Sequence, residues 1–147
     1  MPQDPFLASA PAEAKTGFEE GGIPIGSVLV YKGEIIGRGH NRRAQKQSAI
    51  LHGEMDCLEN AGRLPASVYR ESTIYTTLSP CPMCSGAILL YKIGRVIVGE
   101  NRTFTGAEES LRNAGIVVDV LQDSDCIQLM QEFIAAHPDL WNEDIGV

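Results

Sequence analysis

Apolar positions along the chain fall into segments whose period shifts between that of helix and that of strand. Residues from about Phe6 to Glu20 read as a first helix ending at Gly21-Gly22, and Pro11 inside it points to a kink or a late start. "SVLVYKGEIIGRG" (27–39) reads as two strands around a tight turn at Lys32-Gly33. Residues 51 to 61 are helical, with Leu51, Met55 and Leu58 on one stripe and Gly62 as the stop signal. "STIYTTL" (72–78) is a short strand rich in β-branched residues. A helix follows from near Pro82 to about Tyr91, with Gly94 as its terminator. "RVIVGE" (95–100) is a strand, "AEESLRNAG" (107–115) a short helix and "IVVDVL" (116–121) another strand. The last helix starts near Asp123 and carries Cys126, Leu129, Met130, Phe133 and Ile134 at the spacing of a packed face.

The order is therefore α-β-β-α-β-α-β-α-β-α. The first two strands suit an antiparallel hairpin, and each later strand follows a helix, which favours parallel crossovers. The pattern predicts an α/β fold: a three-layer α/β/α sandwich on a mixed five-stranded sheet with strands 4 and 5 parallel. At 147 residues and 44% hydrophobic, the chain suits one domain over 1–147 that buries a core without disulfide staples. No repeat or linker divides it.

Charge narrows the partners. A formal net charge of −7 repels a phosphate backbone, so no nucleic-acid partner is expected. The one basic cluster, Arg38, Arg42, Arg43 and Lys46, reads as a solvated loop. There is no apolar stretch long enough to span a bilayer, so no membrane partner is expected either, and "MPQDPFLASAPAEAK" lacks the features of a signal peptide. The cytoplasm is the expected compartment. Four cysteines, two of them in a C-x-x-C pair, suit metal or redox chemistry better than a disulfide framework.

The chemistry concentrates in "LHGE" (51–54) and "PCPMC" (80–84). A catalytic zinc takes three nitrogen or sulfur ligands and leaves a fourth position for water. His52, Cys81 and Cys84 supply that number. Cys81 and Cys84 sit three apart at a helix start, where the helix N-terminus favours thiolate. Glu54, two residues after the histidine, can reach the same point without binding the metal and is suited to relaying a proton. A redox role for the C-x-x-C pair, or a closed structural site completed by Cys57 or Cys126, is the alternative. Cys57 lies about 140° round the helix from His52 and should point elsewhere, and Cys126 belongs to an apolar face.

H-x-E followed by P-C-x-x-C is the signature of zinc-dependent nucleobase deaminases. Across nearly its whole length the chain resembles the small cytosine deaminases of the yeast type, within the cytidine deaminase-like superfamily. The resemblance runs through "GGIPIGSVLV", "GRGHNRR", "SAILHGE", "LENAGRL", "YTTLSPCPMCSGAI", "VGEN" and "WNEDIG". It implies one zinc ion per chain on His52, Cys81 and Cys84, with a zinc-bound hydroxide adding to C4 of free cytosine and Glu54 as proton shuttle. It further implies that Asn41 holds the ring through its side-chain amide and that Gly53 and Glu54 offer backbone contacts to the ring carbonyl. The Ser79 carbonyl would face the amino group, Phe104 and Trp141 would wall the pocket above Ile25, and Asp144 would accept from the exocyclic amine. The chain departs from the pattern in its short, proline-broken N-terminal segment and in "RTFTGAEE" (102–109), where Phe104 is kept among different neighbours.

Other amino-bearing bases, namely isocytosine, guanine and creatinine, are alternative substrates. A tRNA adenosine deaminase shares the motifs but usually carries alanine where this chain has Gly53. A structural zinc module for protein interaction would need a fourth protein ligand and would leave Glu54 without a role. "SGAILLYKIGRVIV" (85–98) is apolar beyond the needs of one helix face and one strand, which, with the resemblance, predicts a homodimer. "WNEDIG" (141–146) is expected to close over the pocket as a lid.

Overall fold

A computed structural model describes residues 4–147. Thirteen elements alternate along it: α1 (Ser9–Glu19), β1 (Gly26–Tyr31), β2 (Glu34–His40), α2 (Arg43–Lys46), α3 (Gly53–Ala61), α4 (Ala66–Arg70), β3 (Ser72–Leu78), α5 (Pro82–Tyr91), β4 (Arg95–Glu100), α6 (Glu108–Asn113), β5 (Val117–Val120), α7 (Ser124–Ala136) and α8 (Pro138–Asp144). The strands form one sheet in the order β2-β1-β3-β4-β5. β1 pairs antiparallel with β2 and β3, whereas β3–β4 and β4–β5 are parallel. The mixed sheet between helical layers is the architecture expected from the element order.

Alternation along the strands divides the core. Leu29, Ile74, Val96, Val98 and Val118 pack with Cys57 of α3, Ile88 of α5 and Leu111 of α6. Val28, Val30, Tyr75 and Ile97, from the opposite sheet face, pack with Ala10 of α1. A third cluster joins Ile23, Ile25 and Leu78 to Met130 and Phe133 of α7 and Trp141 of α8. β3 ends at Leu78 in this cluster, and the chain leaving it runs straight into Ser79–Cys84.

Several local expectations are refined. Pro11 falls in the first turn of α1, where its missing N–H has no intrahelical partner to lose. Lys32 and Gly33 both take positive φ, 48° and 78°, as a two-residue hairpin turn of matching twist demands. α5 is closed by Lys92 in the left-handed region rather than by Gly94. The Leu51–Met55–Leu58 stripe is not the deeply buried side of α3: those residues are half-buried, while Gly53, Glu54, Asp56 and Cys57 face inward. Gly37 and Gly39 let that side lie on β2, because a Cβ at Gly39 would stand 2.5 Å from the Cys57 backbone nitrogen. Most of the C-terminal stretch expected as a lid, 141–144, belongs to the helix α8, and Trp141 within it is a core residue.

Candidate metal centre

Both metal-bearing segments use the same local device. His52 is the N-cap of α3 and Cys81 the N-cap of α5, each in extended conformation just before the first helical turn. That placement aims each side chain back across a helix N-terminus. Pro82 fixes the first position of α5, and the Cys84 N–H points at Cys81 Sγ, 3.5 Å away. The ligand atoms of His52, Cys81 and Cys84 all lie within 4.8 Å of one another. His52 Nδ1 is 3.4 Å from Cys81 Sγ. Tetrahedral zinc with ordinary bond lengths would separate such a nitrogen and sulfur by roughly 3.6 Å, so the donor set fits zinc as it stands.

No fourth protein ligand joins this group among the described residues. Cys57 is fully buried in the core and Cys126 packs on the other face of the sheet, and burial raises both thiols far from the thiolate a metal needs. The arrangement is that of an open site, and the closed structural zinc reading lacks its ligand.

The electrostatics match a site waiting for a dication. The Cys81 sulfur is held down to about 4 by the hydrogen bond from the Cys84 thiol, against burial and with help from His52. The same contact pushes the Cys84 thiol well up. Burial works against the His52 cation, yet Asp144 and Cys81 outweigh it and lift the group to about 10. Glu54, 3% exposed, is pushed up to about 7 by burial and then by the neighbouring Cys81 charge. A carboxyl titrating near neutrality can both take and give a proton there.

A small cleft adjoins this cluster, lined by Ile25, Glu54, Ser79, Phe104, Trp141 and Asp144 among others. Phe104 meets Trp141 edge-on, with ring centroids 5.8 Å apart at 86°. Ile145, just past α8, also lines the cleft. Gly53, between His52 and Glu54, is buried against the Ile25 carbonyl, and Asn41 is fully buried behind Asp144. His52, Glu54, Cys81, Ser79, Phe104, Trp141, Asp144 and Ile25 thus meet at one cleft, with Cys84 beside them in the ligand cluster, while Cys57 and Cys126 lie elsewhere.

The basic cluster is only partly a solvated loop. Arg43 Nε donates to Asp144 Oδ1 at 2.7 Å, Nη1 to Glu143 at 3.0 Å and Nη2 to the Ala49 carbonyl at 3.2 Å. Arg42 pairs with the buried Asp56 at 3.0 Å. Asp144 also accepts from Asn41 Nδ2 at 3.1 Å and lies 3.2 Å from His52 Nε2. It thus backs a metal-ligating imidazole, the arrangement that fixes the ring's orientation and tautomer. The repeated arginine after "GHN" and the paired acids of "WNEDIG" were the only sequence signals of this network.

Comparisons with known proteins agree with the geometry. Residues 2–100 match the family model described as the cytidine and deoxycytidylate deaminase zinc-binding region. The chain is 57% identical over 135 residues to a cytosine deaminase of Candida albicans, covering 91% of this chain and 90% of that protein. It is 40% identical over 139 residues to a tRNA-specific adenosine deaminase of Streptococcus pyogenes, 87% of each chain being covered. A structure from work on A-to-I editing by tRNA:A34 deaminases superposes with a TM-score of 0.69 at 29% identity, over 84% of this chain and 97% of the other.

Proposed function

The chain belongs to the cytidine and deoxycytidylate deaminase family, a family of zinc-dependent hydrolases, and on that premise we propose that it converts free cytosine to uracil and ammonia. The observation that carries the reading is the buried Glu54 beside an open His52–Cys81–Cys84 centre, on a small cleft walled by Phe104 and Trp141. Zinc held by His52, Cys81 and Cys84 supplies Lewis acidity, lowering the pKa of water to roughly 7.

The protein's own groups do the rest. Glu54 takes one proton from the attacking water and delivers it to ring N3, then takes the second from the hydroxyl added at C4 and passes it to the departing amino group, which leaves as ammonia while the C4 carbonyl forms. Its carboxyl is suited to this because burial, together with the Cys81 charge, sets it at about 7. The Asn41 amide and the backbone of Gly53 and Glu54 orient the ring, and the Ser79 carbonyl and Asp144 face the amino group. Phe104 and Trp141, packed edge-on against each other, wall the ring's site together with Ile25 and exclude water. Attack at C4 with loss of ammonia gives uracil.

The runner-up, an adenosine deaminase acting on tRNA, is disfavoured by the net charge of −7 and by the lower identity to such enzymes, 40% against 57% to a cytosine deaminase. The whole of 1–147 works as one deaminase unit. It pairs as a homodimer: Leu90 is 69% and Tyr91 44% exposed on α5, beside the half-buried Met55 and Leu58 of α3. An isologous contact over these helices covers that apolar face. No helix among the described residues is long and apolar enough to cross a membrane. We place the enzyme in the cytoplasm, where a reducing milieu keeps the ligand thiols unpaired.

The deciding experiment is a panel of free bases, nucleosides and an adenosine-bearing tRNA stem-loop assayed for ammonia release. Cytosine should lead it. Preference for the stem-loop, or no release from any free base, would overturn the assignment.

A further inference from the structure

We propose that Glu108, a buried carboxylate outside the cavity, is a positioning residue for the deamination, holding Ser79 and the Phe104-bearing loop in the shape that closes on a free base. The inference rests on the nucleobase reading above and adds to it the group that shapes the pocket rim.

Glu108 begins α6 and is 4% exposed, yet it touches neither the metal ligands nor the cavity. Its Oε2 accepts the Ser79 hydroxyl at 2.6 Å. Its Oε1 accepts Asn101 Nδ2 at 3.2 Å and lies 3.5 Å from Arg112 Nη1. A hydroxyl has one proton, and an ionised carboxylate can only accept, so the direction of the Ser79–Glu108 bond is fixed. The lone pairs of Ser79 Oγ are then free for the Gly106 N–H, which donates to it at 2.8 Å. The chain of bonds runs Gly106 to Ser79 to Glu108, each polarised by the charge at its end.

This chain shuts the loop from Asn101 to Ala107. At its far end Ala107 N donates to the Pro80 carbonyl at 3.0 Å. A Cβ on Gly106 would stand 1.8 Å from that same carbonyl, so only glycine lets the loop lie flat on the Ser79–Cys81 backbone. At its near end a second buried carboxylate, Glu100, accepts from the backbone of Arg102 at 2.7 Å and of Thr103 at 3.0 Å. Phe104 is suspended between these two anchors and pressed edge-on against Trp141. Removing Glu108 frees the Ser79 hydroxyl to turn, weakens the Gly106 closure and lets Phe104 swing from the cavity. The metal ligands stay, because the N-termini of α3 and α5 hold them.

The test is a double-mutant cycle on the zinc-loaded, full-length enzyme with cytosine. Glu108→Ala and Ser79→Ala should each raise KM by about tenfold with a smaller change in kcat and unchanged zinc content, and the double variant should lose no more than the worse single. Glu108→Gln, whose amide oxygen can still accept from Ser79, should recover most of the loss. Trp141, the one tryptophan of the chain, should emit further to the red in Glu108→Ala as its phenylalanine neighbour departs. Additive losses in the double variant, or a KM for either single variant within roughly twofold of wild type, would overturn the proposal. If Glu108→Ala does not fold, Ser79→Ala and Glu108→Gln decide it by the same criteria. A wild type inactive on every base sinks the deaminase reading instead, and the Trp141 emission still decides whether Glu108 closes the loop.

Discussion

Replacing Asp144 with alanine removes the group at which α8, the Asn41 segment and the ligand His52 meet. Its side chain is 2% exposed and engages Arg43 at 2.7 Å, Asn41 at 3.1 Å and His52 at 3.2 Å. Breaking a buried ion pair from one side costs about 3–5 kcal/mol, since the partner charge is stranded. Arg43 keeps Glu143 and the Ala49 carbonyl, so the lower end, about 3 kcal/mol, applies here. Loss of the carboxylate behind a metal-ligating histidine typically lowers metal affinity by about 10–100-fold. Urea unfolding of the metal-free protein reads the first effect, and zinc competition against a chelator the second. The pH dependence carries a sign. Burial raises the Asp144 carboxyl, but His52, Arg43 and Asn41 outweigh it and hold it below its ordinary 3.8. Its contribution is therefore fully present above pH 3.8 and lost as pH falls through the lower folded value, so the variant should show a flatter acid limb. Stability within about 1 kcal/mol of wild type, with zinc affinity unchanged, would refute the network and leave Asp144 acting on substrate alone.

Four further outcomes are expected. Glu54→Gln should keep zinc and fold but lose about 10²–10⁴-fold in ammonia release, because an amide cannot relay a proton; activity within tenfold of wild type sinks that role. Cys81→Ala or Cys84→Ala should lose metal and stability together, since metal binding couples to folding, and equal zinc by elemental analysis would contradict this. Truncation after Leu140 removes Trp141 from the cluster with Ile23, Ile25 and Leu78, so it should cost about 3–5 kcal/mol as well as activity. A truncated chain with wild-type Tm would show α8 to be an accessory lid. Leu90→Glu, on the exposed face of α5, should yield monomer by sedimentation at micromolar concentration, and an unchanged dimer would move the interface elsewhere.

The sequence by itself determined the five strands, the parallel pairing of the last two and the metal ligands. Those features are local. A period of two or 3.6 is written in neighbouring residues, and H-x-E and P-C-x-x-C place their ligands at helix starts whatever lies around them. The tertiary structure decided the rest. The apolar stripe of Leu51, Met55 and Leu58 predicted the packed side of α3, but its inward side carries Glu54, Asp56 and Cys57, because the site and β2 lie there. Arg43 read as solvated, since the carboxylate it neutralises comes from α8, and the neighbouring Asn41 and Asp144 are 103 residues apart in the chain. Glu108 carried no signal at all, and its buried bond to Ser79 spans 29 residues. Residue type and spacing encode which groups can bind zinc. Which charge neutralises which, and which loop a buried carboxylate holds shut, depends on desolvation, and burial exists only once the distant segments have packed.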